Sequence, residues 1–144
     1  MPNTVVDSIT DLDKEPWLHV VAAVIFGQDG RILLARRPEH KHQGGKWEFP
    51  GGKVEATESA TVALARELTE ELGIIADPEK MEPFLEVRHR YPEKNIFLDI
   101  WRVHSFSGEP TGCEGQETGW FSKQELPGLG FPAANAAILE KLLA

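Results

Sequence analysis

The chain is poor in cysteine, in basic residues and in long apolar runs. Its one cysteine, Cys113, excludes an internal disulfide and fits a reducing compartment. The longest apolar run, residues 20–26, is far too short to span a membrane. With 15 basic and 23 acidic side chains, the net charge of −8 disfavours nonspecific binding to nucleic acid. We therefore expect a cytoplasmic protein with neither a membrane nor a nucleic acid as its partner.

The length of 144 residues fits one domain with a substantial core. Residues 1–16 are acidic, show no clear period and lack the apolar core of a signal peptide. We expect them to form an N-terminal arm or tail, and residues 17–144 to form the domain. The expected oligomeric state is a monomer or a weak dimer.

Apolar runs predict a sheet rather than a helical bundle. Residues 18–26 are continuously apolar apart from His19 and rich in β-branched residues, as in a central strand covered on both faces. Gln28-Asp29-Gly30 supplies a hairpin turn to the next strand. The predicted strands cover residues 18–26, 31–36, 84–91, 96–106 and 118–121, with a short extended segment at 47–50. Together with a central helix and a C-terminal helix, they predict an α/β fold: an α/β/α sandwich around a mixed sheet.

The central helix follows a glycine turn at Gly51 and Gly52. Its apolar residues recur at the three- and four-residue spacing of one buried stripe. They are Ala60, Ala63, Leu64, Leu68 and Leu72. Ser59 is placed to cap the N-terminus, and Gly73 falls where a left-handed residue ends a helix.

Three carboxylates crowd one side of this helix. At about 100° per residue, Glu67, Glu70 and Glu71 fall on one arc beside the apolar stripe. Like charges at this spacing repel, and Arg66 cannot neutralise all three. Hard oxygen ligands favour Mg²⁺ or Mn²⁺, so the crowding predicts a divalent-cation site. The alternative is an acidic helix face that is merely solvated.

The spacing around these glutamates resembles the Nudix box at every defined position. From Gly52 the pattern runs through Glu58 to Arg66-Glu67-Leu68, Glu70-Glu71 and Gly73-Ile74. The resemblance implies a hydrolase of nucleoside diphosphates linked to another moiety, with an α/β/α fold. The metal ligands that it implies are Glu67, Glu70, Glu71 and the main-chain carbonyl of Gly52. It also implies that Glu58 and Arg66 are structural and join the loop to the helix through an ion pair.

Further segments resemble the MutT-like members of this family, which hydrolyse oxidised guanine nucleoside triphosphates such as 8-oxo-dGTP. These segments are Arg36-Arg37, residues 47–53, Glu114-Gly115-Gln116 and Phe131-Pro132-Ala133-Ala134-Asn135. The resemblance implies that Glu114 serves the metal site and is a candidate general base. The substrate-binding residues that it implies are Arg37, Glu48, Phe49 and Asn135. The chain departs from these members at residues 91–95 and 44–45.

Asn135 has a chemical reason to select an oxidised base. Guanine N7 is an acceptor, whereas oxidation at C8 places a hydrogen on N7 and makes it a donor. The amide of Asn135 can accept from N7–H while it donates to O6. Against normal guanine the same carbonyl faces a lone pair, and such a mismatch discriminates strongly. The alternative is that Asn135 caps a helix start.

The implied reaction is metal-assisted hydrolysis of a nucleoside triphosphate at the β-phosphorus, which releases a nucleoside monophosphate and pyrophosphate. Glu70 or Glu114 would take the proton of the attacking water. We expect Glu114, in a mobile loop, to reach the metals only after closure. The alternatives are a pyrophosphatase for CTP, dCTP or other noncanonical nucleotides, an enzyme that cleaves nucleotide sugars, and a non-catalytic domain that senses nucleotides. The intact glutamates Glu67, Glu70 and Glu71 disfavour the last.

Overall fold

A mixed sheet with a helix on each face makes up the fold of the computed structural model, which describes residues 16–41 and 44–144. The strands are β1 (Trp17–Phe26), β2 (Ile32–Arg36), β3 (Trp47–Glu48), β4 (Gly51–Lys53), β5 (Glu82–Arg90), β6 (Asn95–Val103) and β7 (Glu117–Phe121). The α-helices are α1 (Ala60–Leu72) and α2 (Ala136–Leu143), and 3₁₀ turns cover Pro78–Lys80, Lys123–Gly128 and Ala133–Asn135. The predicted arm of residues 1–16 lies outside the described residues, apart from Pro16.

Strand β1 is the centre of the sheet, as its continuous apolar run predicts. The strand order is β3-β2-β1-β6-β5, while β4 also pairs with β1 and β7 with β2. β1 runs parallel to β6 and antiparallel to β2 and β4, so the predicted mixed sheet is confirmed. A parallel pair needs a long crossover, and the segment between β1 and β6 includes α1.

Alternate residues of β1 enter two separate cores. Val21, Ala23 and Ile25 pack against the buried face of α1. Ala22 and Val24 pack on the opposite face, in the core that holds α2. Both faces of the strand are therefore covered, and the predicted α/β/α sandwich is confirmed.

Helix α1 begins and ends where its sequence predicts. The Ser59 hydroxyl accepts from the backbone N–H of Val62 at 3.3 Å. Gly73 adopts a left-handed φ of 71°, and its N–H donates to the carbonyl of Thr69. Two well-defined ends fix which side chains the last turn presents, and these include Glu70 and Glu71.

The glycine turn predicted at Gly51 and Gly52 is instead strand β4, because it pairs with β1. A Cβ on Gly51 would lie 1.9 Å from the carbonyl oxygen of Val21, so only glycine permits this close approach. The strand predicted to reach residue 106 ends at Val103. Phe106 is apolar because it packs against the α1 core from a loop, not because it extends the strand. Within the described ranges, no helix has the length and apolar character needed to cross a membrane.

Candidate functional site

A cavity of about 320 Å³ opens between β1, β4, the last turn of α1 and the segment before α2. Its apolar floor comes from β1 and β6, with Leu18, Val20, Ala22, Ile96 and Leu98. Its carboxylates are Glu48, Glu71 and Glu114, and its basic side chains are Arg36, Arg37, Lys41, Lys53 and Lys94. A pocket of this size with an apolar floor and a few convergent polar groups is typical of a small-molecule site.

Arg66 contacts three glutamates, one in the loop before α1 and two on α1 itself. Its guanidinium donates to both carboxylate oxygens of Glu58, at 2.6 and 2.9 Å, and to the carbonyl of Lys53 at 3.1 Å. It also contacts Glu67 at 3.3 Å and Glu70 at 3.1 Å. The hydrogen bonds from Arg66 lower the pKa of Glu58. The ion pair between Glu58 and Arg66 is thus present and ties the loop before α1 to the helix.

Gly52 and Glu67 are in close contact. A Cβ on Gly52 would lie 2.3 Å from both Cδ and Oε2 of Glu67, so the carboxylate occupies the space that any other residue would fill. The two predicted ligands therefore lie against each other, and glycine is required for steric reasons at this position.

Glu71 is the carboxylate of α1 that faces the cavity. Burial, followed by the charges of Glu67, Glu48 and Glu114, raises the pKa of Glu71 to about 9. Glu67 and Glu71 also hydrogen-bond each other, and burial raises the pKa of Glu67. Four carboxyl groups consequently lie close together, and their proximity favours the protonated form of Glu71.

This cluster has the chemistry of a divalent-cation site. Negative side chains at a helix C-terminus oppose the macrodipole, and the last turn of α1 carries no basic residue. A cation would neutralise the cluster, and oxygen ligands suit Mg²⁺ or Mn²⁺. As they stand, no three His, Cys, Asp or Glu side chains in the described part of the chain form a group that could hold a metal. Arg66 contacts one carboxylate oxygen of Glu67 and both oxygens of Glu70, and carboxylates have further lone pairs with which to bind a cation.

The two predicted general bases occupy different places. Glu114 lines the cavity, and its predicted approach to the metals on loop closure stays a prediction. Glu70 is not among the described residues that line the cavity. Its side chain is 47% exposed, and both of its carboxylate oxygens lie 3.1 Å from Nη1 of Arg66.

Arg37 and Glu48 form an ion pair in the cavity wall. Nη1 of Arg37 donates to the Glu48 carboxylate at 2.7 Å. Burial nevertheless raises the pKa of Glu48, so the arginine offsets only part of the cost of burying this carboxylate. The structure brings these two predicted substrate-binding residues together with Phe49, which lines the same cavity and stacks on Phe131 with ring centroids 5.6 Å apart.

Asn135 lines the cavity and is only 8% exposed. Its side chain makes no capping hydrogen bond, because Asn135 already lies in a 3₁₀ turn and is helical, with φ −85° and ψ −6°. Asn135 therefore occupies the helix start, as the alternative expects, but its side chain does not make the capping hydrogen bond. The buried Asn135, whose amide makes no capping hydrogen bond, lines the cavity.

Two residues of the cavity wall were not predicted to have roles. The Tyr91 hydroxyl accepts from the backbone N–H of Ala134 at 2.9 Å and so supports the turn that carries Asn135. The side chain of Gln116 bonds the backbone of Glu71 and Glu114. The bond from Tyr91 spans 43 residues of sequence and that from Gln116 to Glu71 spans 45, so no local pattern signals them.

Comparisons with known proteins agree with this geometry. The family described as "NUDIX domain" matches residues 21–141. An 8-oxo-dGTP diphosphatase of Haemophilus influenzae is 41% identical over 133 residues, which cover 92% of this chain and 95% of the relative. A CTP pyrophosphohydrolase of Escherichia coli is also 41% identical, over 88% of this chain and 92% of the relative.

A solved structure shares the same architecture. It comes from a study of MutT from Aliivibrio salmonicida and Vibrio cholerae, with a TM-score of 0.77 and 39% sequence identity. The match covers 89% of this chain and 98% of that chain. The likeness therefore extends over almost the whole domain, far beyond the glutamate helix.

Proposed function

Since this chain belongs to the Nudix family, we propose that it hydrolyses 8-oxo-dGTP to the nucleoside monophosphate and pyrophosphate and so removes oxidised guanine from the nucleotide pool. One observation carries the substrate assignment. The buried Asn135, whose amide makes no capping hydrogen bond, lines the same cavity as Glu71 and Glu114. The similarity to proteins named 8-oxo-dGTP diphosphatase supports the same substrate.

In this proposal the base is held by Asn135 and Phe49. The amide of Asn135 accepts from N7–H of the oxidised base and donates to O6, while Phe49 supplies an apolar, aromatic wall. The basic side chains of the cavity are available to the triphosphate. Arg37 also forms an ion pair with Glu48, and this pair holds the guanidinium of Arg37 in place in the cavity wall.

The residues that would hold Mg²⁺, or Mn²⁺ in its place, are Glu67, Glu70, Glu71 and the carbonyl of Gly52, with Glu114 as a further ligand. A bound Mg²⁺ neutralises phosphate oxygens and lowers the pKa of an attacking water. The ion pair between Arg66 and Glu58 holds the loop before α1 against the helix. In this proposal the two residues therefore position the metal ligands and do not bind the metal themselves. Gly52 leaves the space in which the Glu67 carboxylate lies.

Glu114 is the better placed of the two candidate bases. It lines the cavity, whereas Glu70 is engaged with Arg66. We therefore assign proton acceptance from the attacking water to Glu114 and a ligand role to Glu70. Replacement of each by glutamine separates the two, because loss of the base lowers kcat even at saturating Mg²⁺. A larger loss of kcat at saturating Mg²⁺ in Glu70→Gln than in Glu114→Gln would reverse the assignment.

The substrate assignment is tested with a panel of nucleotides. We expect kcat/KM for 8-oxo-dGTP to exceed that for dGTP and CTP, and we expect the products to be a monophosphate and pyrophosphate. Release of orthophosphate would contradict attack at the β-phosphorus. A dependence on added Mg²⁺ or Mn²⁺, abolished by EDTA, tests the metal.

A pyrophosphatase of CTP or dCTP is the second candidate, because the Escherichia coli CTP pyrophosphohydrolase is as similar as the Haemophilus enzyme. Higher kcat/KM for CTP than for 8-oxo-dGTP in the same panel would favour it. Tight nucleotide binding without turnover in Mg²⁺ would favour a non-catalytic module instead.

The proposed setting follows from the substrate. A protein that repairs the nucleotide pool acts on free nucleotides in the cytoplasm, so neither a membrane nor a nucleic acid is needed as a partner. Its contribution to DNA replication and repair is indirect, through the removal of a mutagenic precursor. We propose a monomer or weak dimer, which sedimentation at several protein concentrations tests.

A further inference from the structure

We infer that Gln116 is a positioning residue, whose side-chain amide holds Glu114 at the catalytic cavity by joining it to the last turn of α1. The inference rests on the role given to Glu114 under the proposed function. It concerns a residue that touches two backbones and needs no contact with the substrate.

The last carbonyls of α1 have no partner within the helix. The loop after β6 supplies partners for two of them. The backbone N–H of Thr111 donates to the carbonyl of Leu72 at 3.0 Å, and that of Cys113 donates to the carbonyl of Glu71 at 2.9 Å. The loop is therefore attached to the helix end that carries Glu71.

Gln116 completes this attachment with both ends of its amide. Its Nε2 donates to the carbonyl oxygen of Glu71 at 3.1 Å, and its Oε1 accepts from the backbone N–H of Glu114 at 2.9 Å. Because one partner is an acceptor and the other a donor, only one orientation of the amide satisfies both. A single side chain thus fixes the backbone of Glu114 relative to that of Glu71.

The loop is shaped to bring Gln116 to this position. Gly115 has a left-handed φ of 81°, and its N–H donates to the carbonyl of Gly112 at 2.9 Å. A Cβ on Gly112 would lie 2.0 Å from the carbonyl oxygen of Gln116, so the loop closes tightly on itself. Glu114 lies at the tip of this turn with an exposed side chain, and without the amide bridge its own N–H would lose its partner.

The first test is Gln116→Met, which keeps the side-chain length and removes the amide. In the metal-free protein, we expect the backbone N–H of Glu114 to exchange with solvent about tenfold faster or more, because its acceptor is lost. In the enzyme, we expect kcat to fall about 10- to 100-fold, with KM for the nucleotide changed by less than about twofold. Gln124→Met, on an exposed residue of the 3₁₀ turn Lys123–Gly128, is the matched control and should change neither quantity.

The second test is a double-mutant cycle with Glu114→Gln. If Gln116 acts only through Glu114, the double variant is no slower than Glu114→Gln alone. Losses that multiply, an unchanged exchange rate at Glu114, or full activity of Glu114→Gln would each overturn the inference.

Gln116→Glu keeps the acceptor for Glu114 but loses the donor to Glu71, so we expect slow exchange at Glu114 to be retained together with part of the activity.

A wrong substrate assignment would give a different result from a wrong role for Gln116. It would appear as a preference for another nucleotide in the panel, and the cycle would then be run with that nucleotide. Should the chain turn over no nucleotide, the exchange rate at Glu114 and its response to Gln116→Met still decide whether the bridge exists.

Discussion

Two groups of residues in and next to the cavity wall are built by opposite rules. The acidic cluster, formed by Glu48, Glu67, Glu71 and Glu114, gathers like charges and raises the pKa of three of its members. The recognition group, formed by Phe49, Phe131, Tyr91 and Asn135, is held by ring stacking and by a buried hydrogen bond to the turn before α2. In the first region, burial and neighbouring carboxylates disfavour the ionised form of Glu71, whereas the second region is packed as a protein core is.

This difference has a functional meaning. In the acidic cluster, Arg66 and Arg37 pair with Glu67 and Glu48, yet burial still raises the pKa of both carboxyl groups, so the protein offsets the cost of burying them only in part. A site that must select a base gains from rigidity, because a displaced amide accepts mismatched partners. Substitutions in the acidic cluster should accordingly lower kcat. Substitutions in the recognition group should instead alter the selectivity between nucleotides.

The largest effect is expected from Glu71→Gln in the acidic cluster. The change preserves shape and removes the carboxylate, so we expect kcat to fall about 10³-fold, equivalent to roughly 4 kcal/mol of barrier. The selectivity between 8-oxo-dGTP and dGTP should persist, since Asn135 is untouched. Steady-state kinetics at saturating Mg²⁺ measure both, with Glu140→Gln on the exposed face of α2 as the control. A kcat within threefold of the wild-type value would remove Glu71 from the site.

The next effect is expected from Gly52→Ala. The new Cβ would lie 2.3 Å from the Glu67 carboxyl group and force it away, so we expect about a 10²-fold loss of kcat and a higher Mg²⁺ requirement. Gly128→Ala adds a Cβ into open space and is the matched control. Activity and Mg²⁺ titrations check both variants. Equal behaviour of the two would show that the contact between Gly52 and Glu67 is unimportant.

Local sequence patterns predicted the elements of the acidic region well. Helix α1, its cap at Ser59 and its end at Gly73 follow from periodicity and capping within one stretch of chain. The ion pair between Glu58 and Arg66 was implied by the resemblance and is present. Strand β4 was missed, because glycine has little strand propensity and the pairing with β1 depends on residues some 30 positions away.

The support of the recognition group was harder to predict. The bond from the Tyr91 hydroxyl to Ala134 joins distant parts of the chain, and only the fold brings them together. Asn135 lies at the start of α2 but makes no side-chain capping bond, and it is the last residue of a 3₁₀ turn. That turn involves Pro132, whose carbonyl accepts from the N–H of Asn135, and the sequence alone did not indicate it.

Asn135→Ala should alter selectivity more than turnover. Removal of the amide leaves the oxidised base without its partner, so we expect the ratio of kcat/KM for 8-oxo-dGTP to that for dGTP to fall about 10²-fold. The loss of kcat for dGTP should be small, because the acidic cluster is intact. Competition between the two nucleotides measures the ratio directly, with Glu140→Ala on the exposed face of the following helix, α2, as control. An unchanged ratio would place base selection elsewhere in the cavity.

The smallest effect concerns stability in EDTA. Burial and neighbouring carboxylates raise the pKa of Glu71 to about 9 from its usual value of 4.5, so between these values the folded state binds more protons than the unfolded state. This contribution to stability is therefore fully present below about pH 4.5, and it is lost as the pH rises towards 9.

Glu71→Gln cannot ionise, so its stability should depend less steeply on pH than that of the wild-type protein. Thermal unfolding in EDTA from pH 5 to 9 should show the variant gaining about 2–5 °C in Tm relative to wild type at the alkaline end. Because the carboxyl groups of Glu67 and Glu71 interact, the difference between the two proteins reports the ionisation of Glu71 together with its effect on Glu67. Parallel Tm profiles would mean that Glu71 carries no buried charge. Saturating Mg²⁺ should shrink the difference at pH 9 or reverse its sign, because cations then neutralise the cluster that destabilises the wild-type fold.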